Sequence, residues 1–266
     1  MALDFNDFFK RYEAILKTVD ATFEQIQAQT GDMVHCGRGC SDCCYALFDI
    51  SLVEALYLNH HFQRLFSGPE KNALMERADK ADREVNRLKR KLFKASEEGT
   101  PSSELLRQVA EARLRCPLLG EDDLCALYDY RPVTCRTYGV PTAIGGEVHT
   151  CGRSGFEPGQ PYPTIHVEKL QDALMALSQE LAQSINSRYV ELGSLLIPPS
   201  MAIITDMNED YLGVMQPAQS PAQQPTGNPL PMNCSSCGEG PGSSACSSCK
   251  DDSFSITIGG PDRDDD

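Results

Sequence analysis

Eight of the twelve cysteines stand at positions 36, 40, 43, 44, 116, 125, 135 and 151, and the other four at 234, 237, 246 and 249. Four thiols within nine residues, two of them adjacent, do not describe ordinary buried cysteines, which sit apart as small hydrophobes. A disulfide framework belongs to small secreted chains. Here the start, MALDFNDFFKRYE, has no basic segment followed by an apolar run, and no stretch of 18 apolar residues occurs. A secretory signal and a membrane span are therefore not expected, and the expected location is the cytoplasm. In a reducing compartment, clustered thiols point to thiolates on a metal.

The chain has 266 residues, 41% of them hydrophobic, enough for one substantial core or two small ones. Its 24 Lys and Arg against 38 Asp and Glu give a formal net charge of -14. Direct nucleic-acid binding is not expected from such a balance, because duplex binding rests on neutralising phosphates. The basic run Arg83, Arg87, Lys89, Arg90, Lys91 and Lys94 reads as the solvated face of a helix.

Apolar periodicity predicts a mainly α fold: a helical domain with an irregular cysteine-rich metal-binding region and a small β-hairpin, plus a disordered tail bearing a cysteine knuckle. Leu3, Phe8, Tyr12, Ile15, Val19, Phe23 and Ile26 mark a first helix ending near Thr30-Gly31. Ser51 with Glu54 is a capping box opening a second, which Gly68-Pro69 interrupts. Residues 71 to 96 carry a narrow seam whose expected partner is the helix from 102 to 114. Gly145-Gly146 is placed as the turn of a hairpin, and a last long helix is expected from 165 to 192. The expected domains are a helical cysteine-cluster domain over 1–212, a flexible linker over 213–232, a knuckle over 233–250 and an acidic tail over 251–266.

The first loop reads Cys36-x3-Cys40-x2-Cys43-Cys44, with Gly37 and Gly39 supplying backbone freedom. Such a loop can gather sulfurs around zinc, at about 2.3 Å, or around an iron-sulfur cluster. Successive side chains diverge, so Cys43 and Cys44 are expected to serve different centres, or one of them to be a packed or redox-active thiol. Cys116, Cys125, Cys135 and Cys151 must be brought in by the fold. Arg131 and Arg136 flank Cys135, where a cation would lower the thiol pKa; pairing with a carboxylate is the other reading. Pro132 fixes the approach to Cys135. His35 is a candidate ligand or outer donor, His149 lies close enough to Cys151 to take part, and His60 and His61 read as surface residues. Arg131, Arg136 and His35 are thus expected to flank the bound group. Four thiolates suit iron or zinc alike, and the asymmetric thiols tilt the expectation towards iron. In the tail, Cys234-x2-Cys237-x8-Cys246-x2-Cys249 is a pair of CxxC hooks that can meet one tetrahedral ion. No Ser-His-Asp pattern, Walker motif or Rossmann fingerprint is present.

The ordered set Cys36 to Cys44, Cys116-Pro117-Leu118-Leu119, Cys125-Ala126-Leu127-Tyr128, Arg131-Pro132-Val133-Thr134-Cys135-Arg136-Thr137-Tyr138-Gly139 and Cys151 resembles the YkgJ-like cysteine-cluster family of zinc- or iron-chelating proteins. The resemblance covers roughly residues 30 to 155. It implies that the eight cysteines contain the metal ligands, with Arg131, Pro132 and Arg136 structuring or tuning the site. The first spacing is x3 where the family commonly has x2. The same look extends to a flagellin lysine N-methylase. The spacing of Cys36, Cys40 and Cys43 is also that of radical S-adenosylmethionine enzymes, but residues 45 to 115 read as helices without the repeated strands of their barrel. The functional expectation is a metal-binding protein in redox, metal handling or protein maturation. A cluster-dependent protein-modifying enzyme such as a lysine N-methylase, and a structural zinc protein acting as an adaptor, are the alternatives. In each case the expected partner is another protein.

Overall fold

The computed structural model describes residues 3–157 and 159–215. The four-cysteine knuckle, the acidic end and nearly all of the linker fall outside the described residues. Helix α1, Asn6–Thr30, buries Phe9, Tyr12, Leu16, Val19 and Ile26 along one face and stops where Gly31 takes a φ of 56°. Only glycine adopts that conformation without a Cβ penalty.

Strand β1, Ile50–Ser51, leads into α2, Leu52–Leu65. The capping box forms as the sequence predicts: Glu54 Oε2 accepts from the Ser51 backbone N–H at 2.9 Å and from its hydroxyl at 2.8 Å. Every residue from Leu52 to Asn59 is buried, and Phe62 with them, so α2 is the central post of the domain. Each of its large apolar side chains contributes about 1.5–3 kcal/mol by leaving water.

Helix α3, Gly68–Glu97, starts with Pro69 in its first turn, where a missing N–H costs nothing. Helix α4, Ser102–Ala112, follows. Farther on come α5, Val133–Thr137, then β2, Thr142–Ile144, and β3, Glu147–His149. Gly145 and Gly146, at φ 61° and 80°, make the tight hairpin turn placed there from sequence. Strand β4, Ile165–His166, adds to β2 in parallel and runs into α6, Val167–Ser184. Strand β5, Leu196–Ile197, pairs antiparallel with β1, and α7, Pro199–Ile204, ends the regular structure.

Two expectations change. The main partner of α3 is α7 rather than α4: Leu74, Ala78, Asp82 and Val85 are buried, and Asp82 accepts from the Ser200 hydroxyl at 3.2 Å. Towards the C-terminal end of α3 the seam residues Leu88 and Leu92 are half-buried, and Phe93, off the seam, is 66% exposed. Helix α6 also ends eight residues short of the expected 192. Asn186 turns to a φ of 50°, and the Ser187 hydroxyl donates to Leu212 C=O at 2.6 Å, so the chain leaves the helical path.

The main core surrounds α2 and receives α1, α6 and α7, with Ser178 of α6 accepting the otherwise unpaired Val53 N–H at 3.2 Å. A smaller core of Ile26, Val34, Val140, Phe156 and Ile165 sits beneath the cysteine loop. Among the described residues seven α-helices dominate, and no helix is long and apolar enough to cross a membrane.

Candidate metal centre

Cys43 and Cys44 lie in one short 3-10 turn, Asp42–Tyr45. The two thiols interact with each other, and their surroundings overlap only in part. Cys43 is buried and joins Cys36, Cys40 and Cys151 around a small void of about 10 Å³. Cys44 lies in the electrostatic field of Cys116 and Cys125. Its carbonyl accepts the Cys116 N–H at 2.6 Å, fastening the second cysteine segment to the first.

Cys116 and Cys125 are drawn together by a narrow loop. Gly120 N–H donates to Leu124 C=O at 2.8 Å, Ala126 N–H donates to Leu118 C=O at 2.8 Å, and Leu119 bridges to Cys125. Cys135 rides on α5, whose first N–H, at Val133, donates to Glu54 Oε1 at 3.0 Å. The capping carboxylate of α2 therefore also fixes the helix that carries Cys135. Cys151 faces Asp42 Oδ2 at 3.7 Å and accepts the Arg153 N–H at 3.4 Å. Gly155 N–H, bonded to Met33 C=O at 2.8 Å, holds that segment beside the start of the loop.

Hydrogen bonding sets one thiol apart. Cys135 and Cys44 both donate S–H to Cys43, which holds Cys43 well below the usual thiol range and pushes its two donors up. Burial raises the others: Cys36 to about 11 and Cys116 to about 12, with Cys125 and Cys151 shifted the same way. Crowded, poorly hydrated thiols resist becoming several thiolates unless a cation joins them. That donor set is chemically suited to zinc or iron. Among the described residues, however, no three His, Cys, Asp or Glu side chains already stand where one ion would need them. The sulfurs are gathered, but the coordination sphere is not pre-formed.

The arginines divide their work. Arg131 stacks 3.6 Å from the Tyr128 ring centroid, donates to Tyr128 C=O, and lowers the pKa of Cys36, Cys43 and Cys125 by its charge. Arg136 is taken up by the protein: it donates to Asp20 Oδ2 at 2.7 Å, to Arg131 C=O at 2.8 Å and to Asp129 C=O at 2.6 Å. Of the two alternatives left open for the arginines, Arg136 takes the carboxylate pairing, and Cys135 itself is raised because its interaction with Cys43 and its burial dominate. His35 Nδ1 is 2.6 Å from Arg153 C=O and lines the small void. His149 is exposed on β3. His60 and His61 are half-buried rather than surface residues: α2 turns them onto Phe9, Tyr57 and Tyr130, and His61 stacks on Tyr130 at 3.7 Å.

Sequence reasoning missed three supports. Gly139, at φ 106°, passes so close to the loop that a Cβ there would strike the Cys36 Cβ and lie 2.9 Å from its Sγ. In sequence Glu54 reads only as a cap, and nothing local marks Asp42. A glycine closing the Cys135 segment was the available signal for the first; the other two depend on long-range contact.

No curated protein and no solved structure matches the chain. Residues 35–152, the stretch that holds all eight gathered cysteines, match the model of the CxxCxxCC family, described as a "putative zinc- or iron-chelating domain".

Proposed function

We propose that this protein binds zinc or iron as single ions through two thiol groups, Cys36, Cys40, Cys43 and Cys151 in one, Cys44, Cys116, Cys125 and Cys135 in the other. The void between the first four carries the reading: about 10 Å³ is the space of one small occupant, and an iron-sulfur cube needs more. This reading favours single ions, where the sequence left an iron-sulfur cluster and zinc both open with a tilt towards iron. Cys43, hydrogen-bonded to Cys44 and Cys135, stands where the groups meet, so loading one would alter the other. A metal there supplies the positive charge that lets several thiols ionise together. Arg131 adds a fixed cation, and His35 aims its imidazole at the rim.

The role that suits such a centre is metal handling or protein maturation in company with another protein. The CxxC hooks at 234, 237, 246 and 249, outside the described residues, form a third site in this proposal. The test is anaerobic purification of the full chain with those four cysteines replaced by serine, followed by elemental analysis and ultraviolet-visible spectroscopy. Colourless protein with one or two zinc ions, or one or two irons without inorganic sulfide, is expected. A visible band with stoichiometric sulfide, bleached by dithionite, would replace the single-ion reading by a cluster. Protein carrying neither metal after growth in supplemented medium would end the proposal.

A further inference from the structure

A second, larger space lies beside the thiols and is not used by them. This cavity, about 610 Å³, is walled by α6 through Leu170, Leu174 and Met175, floored by α5, and closed on a third side by the β2–β3 hairpin. Cys151 lines both this cavity and the small void. The volume falls in the range of small-molecule sites.

The chemistry of its lining narrows the ligand. No Lys or Arg lines it, so a phosphate or carboxylate entering would find no counter-charge. Two carboxylates reach the lining, and both are already engaged. Asp49 holds Lys89 Nζ at 2.6 and 2.9 Å. Glu54 accepts from Ser51, Val133 and Tyr12. A cationic ligand would therefore have to compete for acceptors that are in use. The polar side chains left to a ligand include Thr134, Tyr138, Thr150, Gln171 and His149, none of which makes a side-chain hydrogen bond among the described residues. Apolar walls with a few uncommitted, uncharged donors and acceptors favour an uncharged guest.

We infer that this cavity is a binding site for uncharged, largely apolar organic molecules that carry one or two hydrogen-bonding groups. It borders the metal centre but does not rest on the metal reading, since occupancy can be measured on protein of known metal content.

The test is fluorescence titration of the full chain with N-phenyl-1-naphthylamine, an uncharged probe that brightens in apolar surroundings, against its sulfonated relative 8-anilino-1-naphthalenesulfonate. The chain has no tryptophan, so a blocking indole can be introduced from either side: Gln171→Trp from α6 or Thr150→Trp from the opposite wall. The expected result is saturable binding of the uncharged probe, at least about tenfold weaker binding of the sulfonate, and about tenfold loss of affinity in each variant that melts like the parent. Equal binding of the two probes, absence of saturable binding, or unchanged affinity in a folded variant would overturn the inference. Should one variant fail to fold, the other decides. Metal content measured in parallel separates this outcome from the fate of the metal proposal.

Discussion

Gly139 shows how much one missing side chain can decide. Its φ of 106° strains any L side chain, by roughly 1–3 kcal/mol, and its Cα passes against Cys36. Gly139→Ala is expected to lose bound metal and to lower stability by roughly 2 kcal/mol in urea denaturation. Gly146→Ala makes the contrast: it also has positive φ, but a Cβ there meets nothing within 4 Å, so it is expected to keep its metal. A second residue-scale expectation concerns acid. Burial, then His60 and Arg64, lowers His61 from 6.5 to about 4. Between those values the folded chain binds fewer protons than the unfolded one, so stability rises with pH. The contribution is fully present above about 6.5 and is lost as pH falls towards 4. His61→Phe, which keeps an aromatic ring against Tyr130, should flatten that limb when melting temperatures are followed from pH 7 to 4.5. A loss of stability on acidification equal to the parent's would refute the assignment.

Between elements, the joint that matters most for the thiols is Glu54. Its two oxygens cap α2, meet Tyr12 of α1 and accept the first N–H of α5, so three helices are indexed by one carboxylate. Burial raises its pKa, opposed by those same hydrogen bonds. Glu54→Gln puts an amide donor where every partner is a donor. The expected cost is roughly 1–3 kcal/mol, with faster hydrogen exchange at residues 133–137. Arg136 closes α5 from its other side onto Asp20. Cys135→Ser removes the thiol on α5 itself and is expected to release metal and to loosen residues 116 to 151. Metal content and exchange equal to the parent's would dismiss that role for Cys135.

At the scale of the molecule, the helical frame and the cysteine region draw on different sources of stability. The frame has the apolar core around α2, whereas residues 116 to 163 are mostly turns and very short strands. Removing metal with a chelator is therefore expected to deprotect 116–151 while α2, α6 and α7 keep slow exchange. Uniform loss of protection would mean that the core, too, depends on the ion.

The sequence alone determined whatever depends on neighbours along the chain. Apolar stripes marked α1, α3 and α6, Ser51 with Glu54 marked the start of α2, Gly145-Gly146 marked the hairpin, and the ordered cysteine motifs carried the family resemblance. Local pattern could not choose α7 over α4 as the partner of α3, nor stop α6 at Ser184, because those outcomes depend on which distant surfaces compete to be buried. It posed, without answering, the question of the adjacent cysteines. Only the tertiary structure set Cys43 beside Cys36, Cys40 and Cys151 while keeping it within reach of Cys44, Cys116, Cys125 and Cys135, since the second cysteine segment reaches the first loop through backbone contacts more than seventy residues apart in sequence.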